Sequence, residues 1–375
     1  MGANLAEYRL VYVANANGVT AVGDYAENLV RAVRPHFGEV VECRTGGPGD
    51  DTVRGLWQLR KQVVAAVAEG PPGRVLVHAE LSAGALAPFW STAGLNAIPT
   101  TATIHDPPQG VWWPARTAFL ARHRLLMHGL HYPLRPLSRA IEGAVSGRRT
   151  LFALTETGRR SIQEMYPHTQ THHITHLVAE RPRIRPAQER PKAVGFFGMV
   201  YRGKGFEQIA RIRAQLPSDV VIRIAGRGTE SLPRAEGIEI VGGVDGPDED
   251  AFFESIRAVV VPYGKRHFYA DTYPASGVVA HATAYRTPVV CTAYGSLAEL
   301  DETRGALVVK PDGVETFGLP SNFASELNLL ISDSARLTAL AENSDREREA
   351  NLAPRAADAF AAAWSRMLGR SLVDG

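Results

Sequence analysis

Residues 277–300 read GVVAHATAYRTPVVCTAYGSLAEL. The pattern predicts a helix, a tight turn, a buried strand in TPVVCT and a second helix that opens at Ser296. The residues at the start of the predicted first helix, Pro274 to Gly277, are small and form a turn that leaves backbone N–H groups exposed. The helix dipole adds positive potential there. We therefore expect the pyrophosphate of a ligand to bind at Ser276, Gly277 and Val278.

The same alternation of short apolar strands and helical segments runs through the whole chain. It predicts an α/β fold with two Rossmann-like, doubly wound parallel sheets. A chain of 375 residues exceeds the size of one hydrophobic core, so two domains are expected. The predicted strands of the first half are Leu10–Ala14, Val75–His78, Thr101–Ile104 and Leu151–Leu154. Those of the second half are Ala193–Phe197, Val220–Ala225, Ile238–Val241, Ala258–Pro262, Pro288–Thr292 and Ala306–Lys310.

A proline-rich, charged stretch, VAERPRIRPAQERPK at residues 178–192, separates the two halves. Its prolines oppose regular structure and its charges oppose burial, which is typical of a linker. We expect a first domain over residues 1–180, a linker over 181–192 and a second domain over 193–355. A C-terminal helix over 356–375 is expected to pack back on the first domain. Ligands bind at the carboxyl ends of the strands in such sheets, so a cleft is expected there.

The bulk composition narrows the class of protein. A formal net charge of +2 gives no case for a nucleic-acid partner. Cys43 and Cys291 stand in apolar surroundings and are expected to be structural thiols in a reducing compartment. The N-terminus MGANLAEYRL lacks the pattern of a signal peptide, and no apolar run reaches the length of a membrane span. We expect a cytoplasmic protein.

Two glycine-containing turns follow strands of the second half. Gly198, Gly203 and Gly205 allow a sharp bend after AVGFFG, and Arg202 with Lys204 place cations beside the start of a helix, which favours phosphate binding. The next strand ends in Gly226, Arg227 and Gly228, where a base or ribose could approach the backbone. A purely structural turn is an equal alternative at this second position.

The first half offers a second group of candidates. Gly18 and Gly23 are expected to leave the loop after the first strand open to the cleft, with Asp24 as the N-cap of the helix that follows. His105 and Asp106 end the strand TTATIHD, and a histidine at that edge points to where chemistry would occur. We expect a catalytic role for His105, with Gly18, Asp24 and Asp106 facing an acceptor.

These segments resemble the retaining GT-B glycosyltransferases of the large family 4, over most of the chain and most strongly from residue 193 to about 310. That family has a lysine–glycine pair after a glycine-rich turn, matched by Lys204-Gly205. It has a Gly-x-Gly at a strand end, matched by Gly226 and Gly228, and a Pro-Tyr at the next, matched by Pro262-Tyr263. Its alanine-rich helix before a Pro-Val-Val strand is matched by AHATAYRTPVV, residues 280–290.

The chain departs from the family pattern at the diphosphate turn. Family members commonly carry two glutamates with seven residues between them, which contact the donor sugar and the nucleotide ribose. The alignment places Tyr273 and His281 at these positions. Both side chains can form hydrogen bonds, but neither supplies a fixed negative charge. The family arginine that follows the first glycine is replaced by Met199, and Arg202 comes later.

The resemblance implies an enzyme that moves a sugar from a nucleoside diphosphate sugar to an acceptor hydroxyl, with retention of configuration. The acceptor would be a glycan, a lipid-linked intermediate or a small metabolite. Arg202, Lys204 and the Ser276-Gly277 turn would stabilise the leaving diphosphate, while Tyr273 and His281 line the sugar and ribose pocket. Glu299 is read either as a nucleotide contact or as a capping carboxylate. No cofactor and no metal are expected.

Two alternatives to transfer remain open. The missing glutamates fit a GT-B protein that has lost activity and serves as a nucleotide-sugar-binding or assembly subunit. The same fold also fits a nucleotide-sugar epimerase, which would convert a donor without an acceptor.

Three further segments carry polar or aromatic clusters. Residues 112–149 combine aromatic and aliphatic side chains with many arginines and a single acid, Glu142, which suits the inner face of a membrane or a lipid-phosphate acceptor; a plain amphipathic surface helix is the alternative. THHITH at 171–176 is expected to be a structural strand rather than a zinc site. Asp248, Glu249 and Asp250 are expected to be helix N-terminal charges.

Overall fold

A computed structural model describes residues 2–265, 271–310 and 319–371. The chain divides into two compact units. The first comprises the chain up to Leu177, the short segment Thr272–Ala275 and the chain from Ala353 onward. The second comprises Val178–Asp271 and Ser276–Leu352. Each unit contains one six-stranded sheet in which all neighbouring strands are parallel, which confirms the predicted fold class.

The first unit has the strand order β2-β1-β3-β4-β5-β6. Its strands are β1 Arg9–Asn15, β2 Glu39–Thr45, β3 Val75–Leu81, β4 Thr100–Ile104, β5 Thr150–Ala153 and β6 Thr171–His173. Its helices are α1 Ala21–Val33, α2 Val53–Ala68, α3 Ala87–Ser91, α4 Ala118–Arg122, α5 Arg124–Ser146 and α6 Glu156–Met165, together with the last helix of the chain, Ala353–Ser371. β2 was not predicted, because Glu39, Glu42 and Arg44 interrupt its apolar residues and most of its side chains are partly exposed.

The second unit has the strand order β12-β11-β10-β7-β8-β9. Its strands are β7 Ala193–Phe197, β8 Val221–Ala225, β9 Ile238–Gly242, β10 Ala258–Val261, β11 Val289–Thr292 and β12 Ala306–Val309. Its helices are α7 Ile209–Gln215, α8 Pro247–Glu254, α9 Gly277–Ala284, α10 Phe323–Ser332 and α11 Ser334–Ala350, so the last helix of the chain is α12. The helix predicted to open at Ser296 is only a 3₁₀ helix, Gly295–Glu299.

The proline-rich stretch at 178–192 is not a free linker. It belongs to the second unit, contains a 3₁₀ helix at Ala187–Glu189, and buries Arg190 almost completely. The Arg190 guanidinium donates to the carbonyls of Phe253, Ile256 and Tyr285, among others. The expectation that its charges oppose burial was wrong, because these carbonyls at the ends of α8 and α9 satisfy the cation.

Both faces of each sheet are covered by apolar side chains. In the first unit, α12 buries Phe360 and Trp364 in the same core as Leu10 and Tyr12 of β1. In the second unit, the core between the sheet and α10 includes Phe196, Ile224 and Phe323. The sheets are therefore rigid platforms, and the loops that follow their strands are the parts free to hold ligands.

Candidate functional site

The order of strands changes direction between β7 and β10 in the second sheet. In parallel sheets the crevice at such a point, beyond the carboxyl ends of the strands, is the usual ligand site. Gly198 follows β7, and Pro262-Tyr263 follow β10. Gly205 has a φ of +80°, and a Cβ atom on it would lie 2.3 Å from the Pro262 carbonyl oxygen. The Lys204-Gly205 pair is thus fixed against the Pro-Tyr segment by backbone contact that excludes any other residue at 205.

A chain of hydrogen bonds joins three side chains at this crevice. Lys204 Nζ donates to the Tyr263 hydroxyl at 2.5 Å, and that hydroxyl lies 3.1 Å from Ser276 Oγ. An ammonium group can only donate, so Tyr263 accepts from Lys204 and has its own proton to give to Ser276. Burial raises the pKa of the Tyr263 phenol well above its usual value, so it stays protonated. The structure therefore brings Lys204 and Ser276 together through a tyrosine that the sequence analysis had noted only as a family motif.

Ser276 is the N-cap of α9. Its Oγ accepts from the Val279 N–H at 3.3 Å, while the N–H groups of Gly277 and Val278 lie in the first turn, where no intrahelical acceptor exists. A Cβ atom on Gly277 would meet no described heavy atom within 4 Å. Two outward N–H groups, the helix dipole and Lys204 thus meet at one open point. Such a combination favours anion binding, and the binding of a diphosphate at this point remains a prediction.

Val278 takes part in this site through its backbone alone. Its side chain is buried, and a Cβ on Gly198 would come within 3.2 Å of it. The two glycine turns also touch one another, since a Cβ on Gly226 would lie 2.1 Å from the Gly198 carbonyl oxygen. Gly226 has a φ of +136° and Gly228 one of +86°. Both glycines are thus required by the backbone, and their contact with a nucleotide remains a prediction.

The other predicted residues of the second unit differ in their exposure. Arg202 and Arg227 are exposed, and Glu299 is partly buried at the end of its 3₁₀ helix. The cations Arg202 and Lys204 precede a 3₁₀ helix, Phe206–Gln208, that continues into α7. Their predicted roles toward a ligand remain predictions.

His281 of α9 is paired with a buried carboxylate. Its Nδ1 lies 2.8 Å from Glu249 Oε1, and the Glu249 side chain is only 4% exposed. Arg181 Nη2 lies 3.2 Å from the same oxygen. Burial by itself would raise the pKa of the Glu249 carboxyl, but the hydrogen bond and charge of His281 and the charge of Arg181 bring it below its usual value. Glu249 is therefore an ionised, buried partner of His281. It lies in the first turn of α8, as expected, but it also pairs with side chains outside that helix.

In the first unit, His105 is part of a buried polar cluster. Its Nε2 lies 2.7 Å from Glu80 Oε2, while Tyr12 donates to Glu80 Oε1 at 2.5 Å and His78 Nε2 lies 3.1 Å from it. Burial would raise the pKa of Glu80, but the hydrogen bonds from the two histidines hold it well below the usual value. The His105 side chain is 9% exposed, with Tyr25 edge-on to it. A contact of His105 with a ligand remains a prediction.

The sequence analysis missed Glu80, Tyr12 and His78. They lie inside β1 and β3, within the apolar runs RLVYVAN and VLVHAEL, and their pairing depends on strand neighbours far apart in sequence. The one available signal was the alternation of His78 and Glu80, which places both side chains on one face of a strand.

The loop after β1 differs from its predicted form. Thr20, not Asp24, is the N-cap of α1, because Thr20 accepts from the Gly23 N–H. Asp24 instead accepts from the Gly18 N–H at 2.7 Å. Gly23 does not leave the loop open, since a Cβ on it would lie 2.1 Å from the Ala16 carbonyl oxygen. Position 23 requires a glycine because α1 packs closely against the loop that follows β1.

Asp106 and Tyr273 also make backbone contacts within the first unit. Asp106 Oδ2 accepts from the Ala83 N–H at 3.0 Å, which ties the loop after β4 to the loop after β3. The Tyr273 N–H donates to the Pro107 carbonyl at 2.8 Å. That Asp106 faces an acceptor and that Tyr273 lines a sugar pocket remain predictions.

A patch of exposed apolar residues covers α4 and α5. We call it the α4–α5 patch; its members are Phe119, Leu125, Leu126, Leu130, Tyr132, Leu134 and Leu137. Exposed basic residues of the same segment are Arg122, Arg139 and Arg148. Glu142, the only acid between residues 112 and 149, is buried, as are Trp113 and Arg149, which the sequence analysis had counted in this surface. The surface of this segment therefore carries positive charge only.

Within residues 2–265, 271–310 and 319–371, no group of three His, Cys, Asp or Glu side chains is placed to hold a metal ion. The helices of the same ranges include none with the length and apolar character to cross a bilayer.

Known proteins resemble this chain in the sequence of residues 191–333 and in the fold of nearly the whole chain. The family model described as glycosyl transferases group 1 matches residues 191–333. No curated protein sequence matches the chain. Sucrose-phosphate synthase from Thermosynechococcus elongatus superimposes with a TM-score of 0.67 at 14% identity, covering 96% of this chain and 100% of that one.

Two other solved structures show the same fold. Anabaena HepE in complex with UDP has a TM-score of 0.67 at 13% identity, over 95% of this chain and 99% of that one. WaaG, a glycosyltransferase involved in lipopolysaccharide biosynthesis, has a TM-score of 0.61 at 14% identity, over 95% and 99%. Residues 191–333 thus match the family model of glycosyl transferases group 1, and the chain as a whole has the GT-B fold.

Proposed function

We propose that this protein is a glycosyltransferase that moves a sugar from a nucleoside diphosphate sugar to an acceptor hydroxyl with retention of configuration. The observation that carries the donor class is the hydrogen-bonded chain from Lys204 through Tyr263 to Ser276, at the N-terminus of α9. Anabaena HepE, of similar fold, was solved with UDP and with UDP-glucose. Retention is supported by the family resemblance of residues 193–310.

The chemistry of this site is stabilisation of a leaving group. When the bond between the anomeric carbon and the diphosphate breaks, negative charge grows on the diphosphate oxygens. The Lys204 ammonium and the N–H groups of Gly277 and Val278 are fixed beforehand, so they stabilise that charge without reorganising. The acceptor oxygen bonds to the anomeric carbon on the face from which the diphosphate leaves, and the departing diphosphate takes the proton of that hydroxyl. The proposed mechanism therefore uses no metal and no separate protein base.

The test is release of nucleoside diphosphate from a panel of UDP-, GDP-, ADP- and TDP-sugars. We expect release from one donor by the unmodified protein. Lys204→Ala should weaken nucleotide binding by about 1.5–3 kcal/mol, roughly 10- to 150-fold, because one charge-assisted hydrogen bond to the diphosphate is lost. Titration calorimetry with the released nucleoside diphosphate measures this change.

The matched control is Lys192→Ala in the same unit, since Lys192 pairs with Asp219 at the surface. Its nucleotide affinity should equal that of the unmodified protein. Unchanged affinity in folded Lys204→Ala would show that the diphosphate binds elsewhere. Absence of nucleotide binding throughout would favour the assembly subunit, and conversion of a donor without acceptor would favour the epimerase.

We further propose that the α4–α5 patch docks on an anionic membrane surface, where a lipid-linked acceptor would be found. Leucines and a phenylalanine would enter the interface while the arginines meet lipid phosphates. Leu125 is 91% exposed, and Leu126, Leu130, Leu134 and Leu137 lie on one stripe of α5.

Co-sedimentation with vesicles tests this docking. The protein should sediment with phosphatidylglycerol-containing vesicles at low salt and less at high salt, because charge contributes to binding. Replacing Leu125 and Leu137 together by Asp should weaken it by at least about tenfold, since one buried leucine contributes about 1.5–3 kcal/mol. Leu329→Asp, at an exposed leucine of α10, is the control. No sedimentation at low salt would refute the proposal.

A further inference from the structure

The first unit contains a cavity of about 290 Å³ at the amino ends of β4 and β5. β4 has five residues, so roughly 15 Å of strand separates this cavity from His105, which follows the other end of β4. Pockets for small molecules have volumes of about 300–1,000 Å³, so this cavity suits a ligand smaller than a nucleotide sugar. Its lining includes Thr92, Leu95, Asn96, Val145, Arg148 and Arg149.

The lining combines two arginines with uncharged residues, and it holds no acid among the residues that the structure describes. Arg148 is exposed at the rim of the cavity, as is Asn96. Arg149 is only 5% exposed. Since no carboxylate of the lining balances the positive charge, the cavity attracts anions.

The guanidinium of Arg149 is only partly satisfied by the protein. Its Nη2 donates to the Phe89 carbonyl and to Thr92 Oγ1, both at 2.9 Å. Its buried Nη1 has no hydrogen-bond partner in the described part of the chain. The buried Arg190, by contrast, donates from all three of its side-chain nitrogens.

The charge of Arg149 also lacks compensation. Burial lowers the pKa of its guanidinium to about 9, and no carboxylate of the described ranges opposes that effect. The group therefore remains a cation at neutral pH. A buried cation without an anionic partner is energetically costly, so an anion held in the cavity would stabilise it.

We propose that this cavity binds the phosphate group of a small phosphorylated ligand, with Arg148 and Arg149 as the cations that hold it. A phosphate monoester carries about two negative charges at neutral pH, which matches two guanidinium groups better than a carboxylate does. Guanidinium groups also bind phosphate oxygens through pairs of parallel N–H donors. Leu95 and Val145 offer apolar contacts to the rest of an ester. This inference does not depend on the proposed function, because the nucleotide is assigned to the second unit.

Calorimetry tests the binding of inorganic phosphate and of glycerol 3-phosphate, at an ionic strength kept constant with sodium chloride. We expect saturable binding, both by the unmodified protein and by Lys204→Ala, which lacks the cation proposed to hold a diphosphate. Tighter binding of glycerol 3-phosphate would identify an organic phosphate as the ligand, and equal binding would identify the free ion. Arg148 also lies in the segment proposed to meet lipid phosphates, so both ligands are water-soluble and no vesicle is present.

Two variants at the rim locate the bound phosphate. Arg148→Ala should weaken the binding of both ligands by about 10-fold or more, because one charge-assisted hydrogen bond is lost. Asn96→Asp keeps both arginines and the size of the side chain, and its added negative charge should weaken binding by at least about threefold. Arg54→Ala, at an exposed arginine of α2 outside the lining, is the matched control and should bind as the unmodified protein does. All three positions are exposed, so the fold should be kept.

Three results would overturn the inference. One is the absence of saturable binding of both ligands to the unmodified protein. Another is equal affinity of the unmodified protein, Arg148→Ala and Asn96→Asp. The third is loss of binding in Lys204→Ala, which would place the phosphate in the second unit. Each of these results leaves the proposed function standing, because that function is tested by nucleotide binding and by release of nucleoside diphosphate.

Discussion

Three buried glutamates in the described ranges have different partners, and the partners decide their charge. Glu80 and Glu249 each accept from a histidine, and the pKa of each is lowered. Glu142 accepts from the backbone N–H groups of Gly110 and Val111, and burial raises its pKa to about 7. His281 takes the place of a family glutamate in the alignment. A carboxylate is nevertheless present in this region, because Glu249 of α8 lies beside His281.

Glu142 makes the stability of the first unit depend on pH. Its folded pKa lies above the usual value of 4.5, so between about pH 4.5 and 7 the folded state holds a proton that the unfolded state has lost. The free energy of unfolding should therefore fall as pH rises through this range, by about 3 kcal/mol for this group. Glu142→Gln, which keeps the acceptor oxygen, should abolish this part of the fall.

Urea unfolding at pH 5, 6, 7 and 8 measures the difference between Glu142→Gln and the unmodified protein, which cancels the other titrating groups. The variant should gain stability relative to the unmodified protein as pH rises. A constant difference across this range would contradict a raised pKa of Glu142.

At the scale of elements, Arg190 holds the ends of two helices. It donates to Phe253 and Ile256 at the end of α8, and to Tyr285 and Thr287 after α9. Carbonyls at helix ends carry partial negative charge and lack intrahelical partners, so a buried guanidinium satisfies several at once. The N-terminus of α9 forms the predicted anion site, so the contact of Arg190 with the other end of this helix helps to hold that site in place.

Arg190→Met should lower the free energy of unfolding by about 3 kcal/mol or more, because it keeps much of the volume but leaves buried carbonyls without donors. The comparison variant is Arg223→Met, which removes a partly exposed pair with Glu239 and should cost no more than about 1 kcal/mol. Equal losses in chemical unfolding experiments would show that the burial of Arg190 contributes little.

At the scale of the whole molecule, the two ends of the chain meet in the first unit. Trp364 of α12 packs on His78, Phe152 and Phe360, and its Nε1 donates to Thr101 Oγ1 at 3.2 Å. The sheet of the first unit is therefore completed by a helix that follows the entire second unit in sequence.

Trp364→Ala should destabilise the first unit by about 3–5 kcal/mol, the usual cost of removing a buried aromatic side chain. Arg366→Ala, at an exposed position of the same helix, should change stability by less than about 0.5 kcal/mol. Thermal unfolding of the two variants measures this. Equal melting temperatures would show that α12 does not carry the core of this unit.

Local patterns were enough to predict most of the architecture. Apolar runs predicted ten strands of the two sheets within a few residues, because a buried strand consists of consecutive apolar residues, and the strand expected in THHITH is an eleventh, β6. The small-residue turn before α9 was predicted for the same kind of reason, because capping and backbone access are set by neighbours in sequence. That Lys204 lies near this turn was predicted only in part, on the basis of the family resemblance.

The sequence by itself therefore determined two parallel sheets, their glycine turns and the small-residue start of α9. Only the tertiary structure decided that Tyr263 links Lys204 to Ser276, that Glu80 holds His105, that Glu249 holds His281, and that Arg190 is buried. These contacts join residues up to about a hundred positions apart. Parallel strands bring the segments of the first three contacts together, whereas Arg190 meets the ends of helices α8 and α9. A charged residue in a one-dimensional pattern is read as exposed, whereas its burial depends on partners that the fold supplies.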